Sequence, residues 1–167
     1  MHHKTKTQYR AFTLIEVLIV VAILGITASV VFTNSSGSRT TQYLDNAGRE
    51  VEAVIHQAQN AALTGVQLTS GDRPCGYRVT WAAGSAYSVM YRYKNGSGVC
   101  NQSSTLSAHA LLNGVVFDNS GTVEFALPHG TVVAPATIRL ARQGVFQMVC
   151  VSATGRIVTV SGSVCPA

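Results

Sequence analysis

The chain has 167 residues, 47% hydrophobic and 11% charged, with a mean hydropathy of +0.24. That length has room for one membrane helix and one further domain of roughly 110–130 residues, enough to bury a core. The formal net charge of +5 is misleading: Lys4, Lys6 and Arg10 lie in the first eleven residues, and beyond them nine Lys and Arg face seven Asp and Glu, which removes overall basicity as evidence for a nucleic-acid partner.

The chain opens on a basic stretch, MHHKTKTQYR, followed by AFTLIEVLIVVAILGITASVVF. From Phe12 to Phe32 there are 21 residues and one charge, Glu16. At the helical rise this run spans ~31 Å, close to the ~30 Å hydrocarbon core of a bilayer, and lipid demands that its backbone be helical. Basic residues precede it and no acid does, which predicts a cytoplasmic N-terminus and the remaining chain across the membrane. A secretory signal cut near Thr27, Ala28 and Ser29 is the competing reading. Glu16 argues against it, because a carboxylate in an apolar helix costs on the order of 3 kcal/mol on insertion scales and marks a function with a missing partner. A new amine at Phe12 would supply that partner.

Ala11-Phe12-Thr13-Leu14-Ile15-Glu16 resembles the processing site of type IV prepilins and type II secretion pseudopilins. The resemblance implies that residues 1–11 are a leader, that a prepilin peptidase cuts between Ala11 and Phe12, and that Phe12 is N-methylated. It also implies that Glu16 neutralises the N-terminal amine of a neighbouring subunit during assembly, and that the partners are the peptidase, other pilin or pseudopilin subunits and the inner membrane. Ala11 stands where that family usually has Gly.

Residues 33–41, TNSSGSRTT, are polar and contain Gly37; they mark the exit from the membrane and a weak point in a longer helix. From Tyr43 to Leu63 a helical period returns, with Leu44, Ala47, Val51, Val54, Ala58 and Ala62 on one stripe that predicts packing against a sheet. Gly65 stops this helix. The segment 33–65 is thus an amphipathic helix, and 66–167 a β-rich domain on the outer side of the membrane.

Val66–Leu68 reads as a short strand, and 69–74 as a turn. Gly76–Trp81 and Ala86–Tyr93 flank Ala-Ala-Gly-Ser and predict a hairpin. Residues 94–104 read as a loop. Leu111–Asp118 and Thr122–Leu127 around Asn-Ser-Gly predict a second hairpin, and Ala136–Ala141 and Val145–Ser152 around Arg-Gln-Gly a third. Arg156–Ser161 follows the turn Ala153-Thr154-Gly155. One long helix and then antiparallel strands make an α+β domain with the helix laid on the sheet, which is also the pilin-like architecture that the leader implies.

Four cysteines, Cys75, Cys100, Cys150 and Cys165, all follow the apolar run. An even count in an oxidising compartment reads as two disulfides. Three pairings are open; Cys75–Cys100 with Cys150–Cys165 is preferred, because each pair brackets a hairpin or loop. No CxxC spacing and scattered histidines argue against zinc. Ser, His and acidic residues form no catalytic constellation: His56 lies in the amphipathic helix, His109 and His129 in loop-like regions, Asp118 and Glu124 beside turns. The chain reads as non-enzymatic, without a cofactor.

Two further matches narrow the resemblance to the GspH/FimT group of minor pilins and pseudopilins: Ala61-Ala62-Leu63 with Gly65 and Val66 at the helix end, and Cys150-Val151-Ser152-Ala153-Thr154-Gly155-Arg156 with a late Cys165. Some FimT-like members bind DNA through a Gly-Arg-any-Arg motif. Here the run is Gly155-Arg156-Ile157-Val158, so the second Arg is absent, and Arg139 and Arg142 would have to share a face with Arg156 to replace it. Arg73, Arg78, Arg92 and Lys94 form a second basic group, read as ordinary surface. The implied function is a structural filament subunit, with DNA uptake as the alternative.

Overall fold

The computed structural model describes residues 13–65, 74–162 and 164–165, with backbone alone over 30–37. Helix α1, Leu14–Thr64, includes the polar stretch 33–41 with Gly37. Gly65 ends it in the left-handed region at φ 61°, and its N–H reaches the Ala61 carbonyl at 3.0 Å. A side chain is strained at that φ and glycine is not. The chain divides into two compact units, one ending at Arg39 and the other beginning at Thr40.

Among the described residues of the second unit nine strands follow the helix: β1 Pro74–Trp81, β2 Ala86–Lys94, β3 Cys100–Ala110, β4 Val116–Phe117, β5 Gly121–Ala126, β6 Thr131–Val132, β7 Ala136–Arg142, β8 Val145–Val151 and β9 Ile157–Ser161. They form two antiparallel sheets, ordered β3-β2-β1-β5-β6 and β4-β7-β8-β9. The unit is therefore α+β, with the helix packed on antiparallel sheets. The expected helical stripe is the one that packs: Leu44, Val51, Ala58 and Ala62 are at most 1% exposed, and Ile55, off the expected stripe, is fully buried beside them. Against it lie the inward residues of both sheets, among them Tyr77, Val79, Val123 and Phe125 of the first and Ile138, Leu140 and Val149 of the second. Alternation along each strand puts every second residue on that inner face.

Polar ties fix the helix over the sheets. The Tyr87 hydroxyl donates to Glu50 at 2.8 Å, the Gln147 amide to Asp45 at 2.8 Å, and the Thr159 hydroxyl to Glu52 at 2.9 Å. Burial and the Glu50 carboxylate both push the Tyr87 phenol upward, which keeps it a neutral donor.

The first and third hairpins form as expected, with Trp81 opposite Tyr87 and Arg142 opposite Val145. The second does not. β4 pairs with β7 and β5 with β1, so Asn119 and Ser120 carry the chain from one sheet to the other. Phe117 lies where the two sheets meet. Its side chain is buried beside Trp81 and Tyr87, and its backbone bridges Gly84 in the β1–β2 turn at 3.1 and 2.6 Å. The expected loop 94–104 is also shorter: Cys100 onwards is strand β3, an edge strand among the described residues that alternates only weakly because neither of its faces is buried. His109 accordingly sits in a strand, stacked on Tyr87 at 5.1 Å. Val66–Leu68 and most of the turn after it lie outside the described residues.

Candidate processing and assembly segment

Ala11 and Phe12, the expected cleavage pair, lie outside the described residues, as do Lys4, Lys6 and Arg10. The described segment begins at Thr13, which caps α1. The Glu16 N–H donates to the Thr13 carbonyl at 3.1 Å and approaches the Thr13 hydroxyl at 3.4 Å. Thr13-Leu14-Ile15-Glu16 thus has the Thr-x-x-Glu spacing of a capping box, with Glu16 at the third helical position. A carboxylate there is favoured by the partial positive charge of the helix start, by ~0.3–1 kcal/mol. The spacing was visible in the sequence, and it gives Glu16 a local role that the charge argument alone missed. Its side chain is exposed, so it also remains available to a neighbour.

The helix surface that follows is apolar on all sides. Leu14 is 82% exposed and Leu18 58%. Val21, Leu24 and Ile26 are open as well. Thr27 and Ser29 return their hydroxyls to carbonyls one turn back, at 3.0 and 2.7 Å, and so present no unsatisfied donor. A helix apolar all round is stable only in an apolar environment, from lipid or from other helices. Among the described residues no helix is long and apolar enough to cross a membrane. The run read from the sequence is 12–32, whereas side chains are described within it for 13–29.

The four cysteines pair as preferred. Cys75–Cys100 joins β1 to the start of β3, with Cα atoms 6.3 Å apart; Cys150–Cys165 ties the tail to β8, with Cα atoms 5.8 Å apart. Both separations lie in the ordinary range for the bond.

Of the arginines named for DNA contact, Arg139 and Arg156 have the outward parity of the second sheet and Arg142 does not. Arg139 faces outward, bonded to Asp118 and stacked over Phe146 with its guanidinium 4.5 Å from the ring centre. Arg142 has the opposite parity and lies over the Tyr43 ring of α1 at 4.2 Å. Arg156 follows the β8–β9 turn, at the other end of the sheet from the β7–β8 turn beside Arg142. Six strand residues separate those ends, about 20 Å. Two members of the second basic group are engaged. Arg78 and Arg92 both grip Glu124, at 2.7 and 2.6 Å, and Arg92 further bonds the Cys100 carbonyl. Burial works against the Glu124 charge, but the two guanidiniums outweigh it and hold the carboxyl below the usual range. Arg73 lies outside the described residues.

Compared with known proteins, residues 6–32 match the family model for the prokaryotic N-terminal methylation motif. No curated protein and no solved structure matches the chain. The matched segment contains Lys6 and Arg10 of the leader, Phe12, Glu16 and the apolar run, and it supports a type IV pilin-like protein whose N-terminus is processed by a prepilin peptidase and which assembles with other pilin subunits.

Proposed function

We propose that the chain is a minor pilin or pseudopilin of the GspH/FimT type, a non-catalytic structural subunit of a type IV pilus or a type II secretion pseudopilus. The observation that carries this reading is the coincidence, within residues 6–32, of the methylation motif with a lone carboxylate at the start of an exposed apolar helix. On this reading residues 1–11 are the leader, removed between Ala11 and Phe12, and Phe12 then carries an N-methylated amine. The apolar helix holds the precursor in the inner membrane, with the N-terminus cytoplasmic and the disulfide-bonded domain periplasmic, and later packs among other helices in the filament. The exposed Glu16 meets the new amine of a neighbour. An ion pair in so apolar a setting would fix subunit register, because either charge left alone is strongly disfavoured.

Co-expression with a prepilin peptidase, followed by mass spectrometry of the mature N-terminus, tests it. Loss of residues 1–11 with N-methyl-phenylalanine at position 12 is expected. An intact chain, or a cut near Ala28, would overturn the proposal. Co-purification with the subunits of one filament system then assigns the machine.

A further inference from the structure

The outer face of the second sheet carries a slot of about 600 Å³ that neither the processing motif nor the helix packing uses. Strand register builds it. Thr137 of β7, Cys150 of β8 and Val158 of β9 lie in one row across three strands, on the side away from α1. Next to that row come Pro135, Ser152 and Arg156, the last two joined where the Ser152 N–H meets the Arg156 carbonyl at 2.9 Å. The Cys150–Cys165 bond brings the tail alongside as one wall. Its volume is that of a small-molecule site, and its lining is mainly apolar.

The polar groups in the slot are unequal. The Ser152 and Thr154 hydroxyls bond each other at 2.8 Å, and Ser152 Oγ also accepts the Arg156 N–H at 3.1 Å. The Thr137 hydroxyl lies 3.4 Å from the Cys165 sulfur. These groups are engaged with one another. The Arg156 guanidinium is different: it is exposed, and among the described residues no carboxylate lies within ion-pair reach of it. Arg78, Arg92 and Arg139 each have a carboxylate partner. An apolar floor with one unmatched guanidinium at its edge is complementary to an apolar body that carries one anion.

We propose that this slot binds amphipathic carboxylates, with the apolar body on Val158 and the Cys150–Cys165 bond and the carboxylate on Arg156. A single cation over an apolar floor suits one carboxylate and not a run of phosphates, which needs several cations in register. The inference does not depend on filament assembly.

The test uses the full chain in nanodiscs of zwitterionic lipid, probed with 4-phenylbutyrate and its neutral amide by saturation-transfer NMR. Both are water-soluble and share one apolar body. The carboxylate is expected to bind about tenfold more tightly than the amide, as befits one charge-assisted hydrogen bond. Arg156→Gln should abolish that difference while leaving weak binding of both. Val158→Trp should remove both by filling the slot. Arg139→Gln, whose side chain lies elsewhere on the sheet, should change neither. Absence of transfer in the native chain, equal affinity for the two probes, or carboxylate binding untouched by Arg156→Gln would each overturn the proposal. The probe pair and Arg156→Gln decide it even where Val158→Trp fails to fold.

Discussion

Glu124 shows how much one residue holds. It lies on β5, while Arg78 lies on β1 and Arg92 on β2, so one carboxylate joins three strands. Its side chain is 15% exposed, dry enough for both hydrogen bonds to matter. Glu124→Gln should lower stability at neutral pH by about 1–3 kcal/mol, as expected when charged hydrogen bonds lose a partner. The sign of the pH dependence follows from the lowered carboxyl. The contribution is present above the unfolded carboxyl value near 4.5 and is lost as pH falls through the lower folded value. Urea unfolding of both chains at pH 7 and pH 3 checks this: the difference between them should shrink in acid. Gly121 is a second position of this kind. A methyl there would stand 2.5 Å from Cζ2 of Trp81, so Gly121→Ala should cost about 1–3 kcal/mol by overpacking, read by the same unfolding curves. Neither site was legible in advance. A lone Glu beside an expected turn gives no sign of its cross-strand neighbours, and a glycine gives no sign of the indole above it.

At the scale of elements, periodicity was a good guide where one face is buried and a poor one where it is not. The α1 stripe and the hairpins β1–β2 and β7–β8 follow from apolar spacing and turn residues, because those patterns record burial directly. β3 escaped because it is an edge strand rich in Ser and Thr, most of whose side chains are at least partly exposed. The expected β4–β5 hairpin failed because β4 pairs with β7 while Phe117 packs against Trp81 and Tyr87, contacts made with residues far along the chain. The two disulfides close separations of 25 and 15 residues. Replacing Cys150 and Cys165 together by Ser should therefore lower stability by about 3 kcal/mol on the chain-entropy model, measured by denaturant titration without reductant. Helix burial is larger still: Ile55→Ala, at a fully buried position, should cost about 2–5 kcal/mol.

For the whole molecule, the core cluster among the described residues lies between Leu44 and Ile157, within the unit that begins at Thr40. A chain starting at Thr40 should therefore unfold cooperatively by itself, and a non-cooperative thermal transition in circular dichroism would contradict this. Function is expected to depend on the other unit. Ala11→Gly should raise the fraction of chain processed when peptidase is limiting, read by pulse labelling. Glu16→Val should leave insertion and folding intact and sharply reduce recovery of the chain with filament subunits; normal recovery would count against the proposed role of the carboxylate.

The sequence alone determined the N-terminal segment and the helix stripe. A processing motif is a contiguous string read by an enzyme, and an amphipathic period is local, so neither needs knowledge of distant residues. It also favoured the correct disulfide pairing, because each pair brackets a local loop. Tertiary structure decided what depends on residues far apart in the chain: which sheet each strand joins, that Arg142 lies on the opposite face from Arg139 and Arg156, that Arg78 and Arg92 share Glu124, and that Arg156 edges an apolar slot with no carboxylate partner among the described residues. Those outcomes follow from strand register and side-chain parity across two sheets, which are set by competition for the core and not by any single stretch of chain.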